Sequence, residues 1–465
     1  TPLWQAGEFS VQLMKRNKTT AAAFVAASLA QAAFVPALAG TGSEPDQFKD
    51  ARAWKPGDPI SFLEGAVTVD LSLQTRFEFR ENNFDFNSGV DSVTDDAWLL
   101  ERVRIGLQFK PASWVALYVQ GQDAREIGSE RADIPGVSGA EGDDPFDLRQ
   151  AWVRLGGKEL NLQVGRFPMN YGDQRLIGGF EWNNIARTFD GARVHWKAGG
   201  TSIDVFATSV VVPDREGFNE SSLSGLETHS YFSGVHASFD QLGWQVTDAY
   251  ALWLKEDGDT SFGTFGTRFK SKDTALGSWG YDAELAFQKG DVGGRELTAF
   301  AAHGGVSYTL AAPWNPELHL QYSFATGDRD PADSRVETFQ NLYPTNHLYY
   351  GYMDLFSWQN IHNPALGLSV KPCKRLVLRA DYHLFWLEKT SDGWYRANGK
   401  TLVRPIDSDA DSFAGSELDL TVQWKPAPYC TVLAGYSHFF AGEYLDDTGA
   451  SDDADFAYLQ VKLDF

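Results

Sequence analysis

Ala66-Val67-Thr68-Val69-Asp70-Leu71-Ser72-Leu73-Gln74-Thr75-Arg76-Phe77-Glu78-Phe79-Arg80 alternates apolar and polar side chains almost without a slip. Val67, Val69, Leu71, Leu73, Phe77 and Phe79 share one phase, and Thr68, Asp70, Ser72, Gln74, Arg76, Glu78 and Arg80 share the other. Successive side chains of a strand point to opposite faces, so this segment has one greasy face and one charged face. A helix would scatter the same residues around its circumference. A soluble sandwich could show this alternation once, so repetition and the connections must decide.

The pattern recurs at about 97–109, 113–125, 147–156, 160–170, 192–198, 201–210, 228–239 and 244–254. It continues at 262–270, 278–288, 296–310, 317–325, 364–371, 374–387, 415–425, 430–440 and 456–465. The expected architecture is all-β, a closed transmembrane antiparallel β-barrel of about 18 strands, with 16 as the alternative count. Long connections (81–96, 126–146, 171–191, 211–227, 326–363, 388–414, 441–455) alternate with short ones such as Lys110-Pro111-Ala112, Gly156-Gly157-Lys158 and Lys371-Pro372-Cys373. Outer-membrane barrels sort their links in this way, long outside and short towards the periplasm, and the pattern blurs only in the middle of the chain.

Composition agrees. The chain holds 15 Trp, 17 Tyr and 32 Phe, yet its mean hydropathy is only −0.32. A wall with lipid outside and water inside averages out in this manner. Outside the N-terminal region no apolar run reaches the roughly 20 residues of a membrane helix. The net charge of −22 excludes nucleic acid as a partner.

Met14 is followed by Lys15, Arg16 and Lys18, an Ala-rich apolar run to Val35, and Pro36-Ala37-Leu38-Ala39. This is the layout of a secretory signal peptide over 14–39, cleaved after Ala39. Residues 1–13 are then an upstream extension of doubtful origin, 40–65 a periplasmic N-terminal segment too short for a plug domain, and 66–465 the barrel. Export to the outer membrane of a Gram-negative bacterium puts Cys373 and Cys430 in an oxidising compartment. They form either a disulfide or, the blander reading, two unpaired buried thiols. At the other terminus Ala457, Leu459, Val461, Leu463 and Phe465 share a face. A terminal aromatic on an alternating strand resembles the signal read by the outer-membrane assembly machinery. The remaining expected partners are outer-membrane lipid, lipopolysaccharide and a carbohydrate substrate.

The polar phase supplies the candidate pore lining: Arg76, Arg80, Arg102, Arg104, Arg149, Arg166, Arg193 and Arg379, with Asp70, Glu78, Glu284, Glu417 and Asp419, joined by Asp282 and Asp381. As a set, inward arginines shape ion selectivity; individually they also serve as cross-strand ion pairs. The phase of Arg149 is ambiguous, because Gln150, Trp152 and Arg154 compete for the inner face. The aromatic-rich 326–363 connection (Tyr343, His347, Tyr349, Tyr350, Tyr352, Asp354, Phe356, Trp358) either folds inward as a constriction or binds an external partner. No Gly-x-Ser-x-Gly turn and no Cys/His cluster of metal spacing occur, and His195, His319 and His383 read as ordinary strand residues. The Asp407-Ser408-Asp409-Ala410-Asp411 run begins like a calcium loop but has Ser412 for the required glycine and Leu418 for the terminal glutamate. No enzyme, cofactor or metal is expected.

Three segments, taken in order, resemble the alginate export family of outer-membrane porins. They are Val164-Gly165-Arg166 with Tyr171-Gly172-Asp173-Gln174-Arg175-Leu176-Ile177-Gly178 and Trp182-Asn183-Asn184; Gly327-Asp328-Arg329-Asp330 with Phe339–His347 and Asp354–Asn360; and Tyr382-His383-Leu384-Phe385-Trp386 with Gly415–Asp419. The resemblance implies an eighteen-stranded barrel with an arginine-lined conduit for an anionic polysaccharide, with Arg149 and Arg166 among the lumen arginines. The sequence departs from the exporters in its longer 326–363 loop and its many inward acids. Three functions follow as expectations: a passive channel for anionic or uronate-type polysaccharide or oligosaccharide, a general or small-solute uptake porin, or an adhesive or structural barrel.

Overall fold

The computed structural model describes residues 60–90, 95–129, 142–215, 217–222, 229–273 and 275–465. The expected signal peptide over 14–39 lies outside them. Eighteen long strands make one sheet. They are β1 (Val67–Glu81), β2 (Asp96–Ala112), β3 (Val115–Ile127), β4 (Asp144–Gly156), β5 (Leu160–Phe167) and β6 (Phe189–Ala198). Next come β7 (Thr201–Val212), β8 (Ser230–Phe239), β9 (Gln245–Glu256), β10 (Thr260–Ser271), β11 (Trp279–Val292) and β12 (Arg295–Thr309). The ring ends with β13 (Glu317–Ala325), β14 (Ile361–Cys373), β15 (Leu376–Leu387), β16 (Phe413–Ala427), β17 (Cys430–Ala441) and β18 (Ala454–Asp464).

Each strand pairs antiparallel with the next, and β18 returns to β1 in the register Ser72↔Asp464 to Glu81↔Asp455. Backbone bonds between Leu71 and Phe465 (2.8 and 3.1 Å) carry this seam to the last residue. Closure removes the free edge that an open sheet would present to lipid. The outward phase is apolar and exposed, as in Ile105, Leu107, Phe109, Leu285, Phe287, Leu320 and Leu366. Short turns at 113–114, 157–159, 199–200, 374–375 and 428–429 sit at one end, and the long connections at the other. Two of the loop-end links are tight as well, 257–259 and 293–294, which is why the alternation of link lengths fades in mid-chain.

Two long connections fold into the ring. The 168–188 loop and the 326–360 loop meet there through Gly178 N–H to Tyr343 O (2.7 Å), Tyr343 N–H to Leu176 O (2.9 Å) and Thr345 N–H to Gln174 O (2.9 Å). The aromatic residues of the second loop are what hold it. Trp358 is fully buried, donates its indole N–H to Phe324 O (3.0 Å) and packs against Phe339. Phe356 stacks on Phe385 at 3.9 Å and on Trp394 at 4.8 Å. Tyr350, Phe356 and Trp358 therefore cannot serve an external partner; the loop is folded inward, with its apolar groups in contact with wall and neighbouring loops.

The cysteines are both free, and Cys373 is exposed whereas Cys430 is buried. They end β14 and begin β17, three strands apart, and the expectation of two buried thiols fails for Cys373. Cys373 lies at the register shift that closes β14, where the wall gives way to the turn.

Two outcomes follow. A polar maleimide labels Cys373 in the folded barrel and Cys430 only after unfolding, with no effect of reductant on gel mobility. Trp358→Ala removes a fully buried indole and its hydrogen bond, at a cost of about 3–5 kcal/mol. Thermal unfolding by circular dichroism reads this as a lowered midpoint, and single-channel traces as added current noise from the freed loop.

Candidate functional site

Register aligns the inward phase of β1 with its neighbours: Gln74 stands opposite Arg102, Ser72 opposite Arg104, and Arg104 opposite Gln122. A β-bulge resolves Arg149. Gln120 pairs with Gln150, but Gly121 pairs with Leu148, so Arg149 is the extra residue. The bulge lets Gln150 and Arg149 both turn from lipid while Leu148 faces out. Arg149 then reaches the carboxylate of Glu181 on the inward 168–188 loop.

That loop is gripped by the arginine wall. Arg76 donates to Trp182 O (2.7 Å) and lies over the Trp182 ring at 3.8 Å. Arg102 donates to the carbonyls of Glu181 (3.3 Å), Asn183 (3.1 Å) and Asn184 (3.4 Å). Gln122 donates to Ile185 O (2.9 Å). The Glu181 carboxylate pairs with Arg104 (2.7 Å), Arg102 (3.4 Å) and Arg149. Its side chain keeps 51 % exposure, against 2–8 % for the three arginines. Burial pushes the Glu181 carboxyl up, but Arg149, Arg104 and Arg102 outweigh it and hold the group well below the usual carboxylate range. Trp182 also stacks on His347 at 3.9 Å, joining the first inward loop to the second. His347 in turn lies 3.1 Å from Asp354, and Tyr352 stacks on Tyr458 of β18.

Half-way round the ring, β9–β12 carry charges of both signs, Asp248, Asp282 and Glu284 with Arg268 and Lys270. Asp248 pairs with Arg268, and Asp282 (3.4 Å) and Glu284 (3.9 Å) with Arg175, which the 168–188 loop supplies. Asp173 of that loop holds both Arg268 and Lys270 at 2.8 Å. His303 bonds Asp282 (2.6 Å), Tyr250 donates to Glu284 (2.9 Å), and Arg175 sits over Tyr349 at 4.0 Å.

On β15 and β16 the acids are covered rather than open. Glu417 and Asp419 are fully buried. Glu417 accepts the backbone N–H of Met353 (2.9 Å), and Asp419 accepts from Ser437 (2.5 Å). Gly351 has φ +87°, and a Cβ there would stand 2.4 Å from the Glu417 carboxylate, so the loop can approach this strand only through a glycine.

Among the other residues singled out from the sequence, Glu78 bridges Arg76 (2.6 Å) and Arg80 (3.6 Å), and Arg80 also donates to Met353 O. Asp70 accepts from Tyr118 and Gln120. Arg193 bonds Gln163 (2.7 Å) beside Asp204. Arg379 pairs with Asp381 beside His319 and retains 43 % side-chain exposure. Tyr343 is anchored to Ser230.

Arg166 stands at the end of β5, in register with Ala151 and Asp190. Alternation gives it the outward phase of Leu160, Leu162 and Val164. Its guanidinium turns back to Asp190 (2.8 and 2.9 Å), Leu148 O and Asn219 O, lies 3.7 Å from the buried Asp147 and borders a small cavity with Gln122 and Arg149. Glu181, Asp173, Arg175 and Arg268 were not anticipated. One signal was available: Met169, Leu176 and Ile177 are apolar residues in a connection, which a solvated loop does not need. Among the described residues no group of three or more metal-ligating side chains comes together.

The alginate export family matches residues 66–458. No curated protein is significantly similar in sequence. The fold is similar to outer-membrane proteins of Pseudomonas aeruginosa. OpdK is 14 % identical, covering 87 % of this chain and 100 % of its own with a TM-score of 0.60. Its structure with vanillate gives 14 %, 87 %, 100 % and 0.61. OccD3 (OpdP) is 12 % identical, covering 88 % of this chain and 94 % of its own with a TM-score of 0.59. With a closed eighteen-stranded wall, a charge-lined lumen crossed by two loops and a family match over most of its length, the chain belongs to the alginate export family and is an outer-membrane channel.

Proposed function

We propose that the channel passes anionic, uronate-type polysaccharide or oligosaccharide by passive diffusion. The observation that carries this reading is the concentration of Arg76, Arg80, Arg102, Arg104 and Arg149 on β1–β4, across the ring from β9–β12, where Asp248, Asp282 and Glu284 stand with Arg268 and Lys270. Opposed charges set up a transverse field in the lumen, which orders water and favours polar solutes over apolar ones. A sugar acid fits such a field, with its carboxylate towards the guanidinium wall and its hydroxyls towards the acids and amides opposite. The two inward loops narrow the path, which favours a single extended chain or a short oligomer.

A second reading, a small-solute uptake porin, has one observation of its own: the fold is similar to OpdK, which was solved with vanillate, a small aromatic carboxylate. The same arginine wall suits that group. The adhesive reading loses its basis with the burial of the loop aromatics.

In planar bilayers the wild-type barrel gives an anion-selective reversal potential, and an oligouronate blocks the current where a neutral glucan does not. Arg104→Gln lowers the anion-to-cation ratio, by roughly tenfold if focusing in the narrow lumen dominates. Cation selectivity of the wild type would sink the proposal; block by benzoate-sized carboxylates but not by oligouronates would favour the second reading.

A further inference from the structure

We infer that Glu181 is a built-in carboxylate occupying the channel's own carboxylate-binding subsite, and that anionic solutes pass by displacing it. This deepens the anionic-channel reading and rests on it. The subsite is the cluster of Arg102, Arg104 and Arg149, contributed by two strands of one wall and almost wholly buried. Three guanidinium groups share one carboxylate there: among the described residues, each of the three has its salt bridge to Glu181.

The donor inventory points the same way. Arg102 Nε, Arg104 Nη2, and Arg149 Nε and Nη1 are buried with no hydrogen-bond partner among the described residues. A buried donor left unmade costs about 1–3 kcal/mol, more for a charged group, so a cluster with this many is configured for more acceptor oxygens than Glu181 supplies. Glu181 itself is the opposite case. It is carried on a connection, not a strand, and half of its side chain is open to the lumen. The loop backbone is held independently, through the carbonyls that Arg76, Arg102 and Gln122 bind. The Glu181 side chain can therefore leave the cluster by rotation about its own bonds while the loop stays docked.

A solute carboxylate has the geometry of the group it replaces, and Arg binds either one through the same paired N–H donors. Exchange of one carboxylate for another leaves the three guanidinium groups sharing one carboxylate before and after, with the same net positive charge. It also keeps the solute from binding too tightly, since Glu181 competes for the site from a short tether. The ligand chemistry is an organic carboxylate, from a sugar acid or from a small aromatic acid.

The test is current block in planar bilayers by glucuronate and benzoate, with glucose as the neutral control, in wild type, Glu181→Gln and Glu181→Asp. Removing the competing charge should tighten block by both carboxylates about tenfold, the factor that accompanies one charge-assisted hydrogen bond. The reversal potential should move further towards anions, glucose should stay without effect, and Glu181→Asp should behave as wild type. If Glu181 only pins the loop, Glu181→Gln raises anion and cation conductance together with no change in selectivity or block, and the inference is overturned. Wild-type block by glucuronate that Glu181→Gln leaves unchanged overturns it too, while the anionic-channel reading stands. A wild type that is cation-selective and indifferent to both acids removes both. Should Glu181→Gln perturb assembly, Arg149→Gln gives an independent arm: it must weaken block by both acids, and unaltered block overturns the inference.

Discussion

A peptide group in hydrocarbon has no water to bond, and each one left unpaired costs several kcal/mol. Every other feature of this protein follows from satisfying that requirement with strands. The sheet must close, so β18 returns to β1 and its hydrogen bonding runs on to Phe465. Closure gives every strand a lipid face and a lumen face, and period-two alternation becomes obligatory along the chain. A ring of this size cannot be filled by its own wall side chains. Loops fill it instead, and the loops that enter need partners for their own carbonyls and amides.

The lumen arginines and acids meet that second need. Arg76, Arg80 and Arg102 spend part of their donor capacity on backbone carbonyls of Trp182, Met353, Asn183 and Asn184. Glu417 accepts the amide of Met353 from the opposite direction. These residues hold the loops in place and set the field at once. A single arginine here has no purely structural or purely selective role, because a guanidinium bound to a carbonyl remains a full positive charge.

The strands were legible because alternation is local: the two phases of 66–80 can be read without knowing what lies across the ring. The segment starting at 456 shows its lipid face and its terminal aromatic in the same way. Inward folding of 326–360 was legible only as one of two alternatives and that of 168–188 not at all, since both depend on contacts such as Trp182–His347 that join residues far apart in the chain. Arg149 and Arg166 show how a one-residue irregularity decides a site. The bulge at Arg149 turns it inward against the simple count, whereas Arg166 keeps the outward phase of its strand and its long side chain still reaches the buried Asp147. Glu181 was missed for a third reason. It belongs to no strand, and nothing in its immediate neighbours says that three arginines from two other segments will converge on it.

The acidity of the chain has to be reconciled with an arginine-rich passage. Many of its carboxylates sit in the connections at the loop end, for example Asp407, Asp409, Asp446, Asp447 and Asp452, where the groups are exposed to solvent. There the screening length is about 8 Å at physiological ionic strength, so their field fades before it reaches the narrow part of the lumen. The guanidinium groups of Arg102, Arg104 and Arg149 are embedded in the wall, where the surrounding dielectric is low and counter-ions are few. Their field acts on whatever passes within contact distance. A net charge of −22 therefore describes how the molecule as a whole meets distant ions, whereas a solute at the Glu181 cluster meets three arginines against one carboxylate.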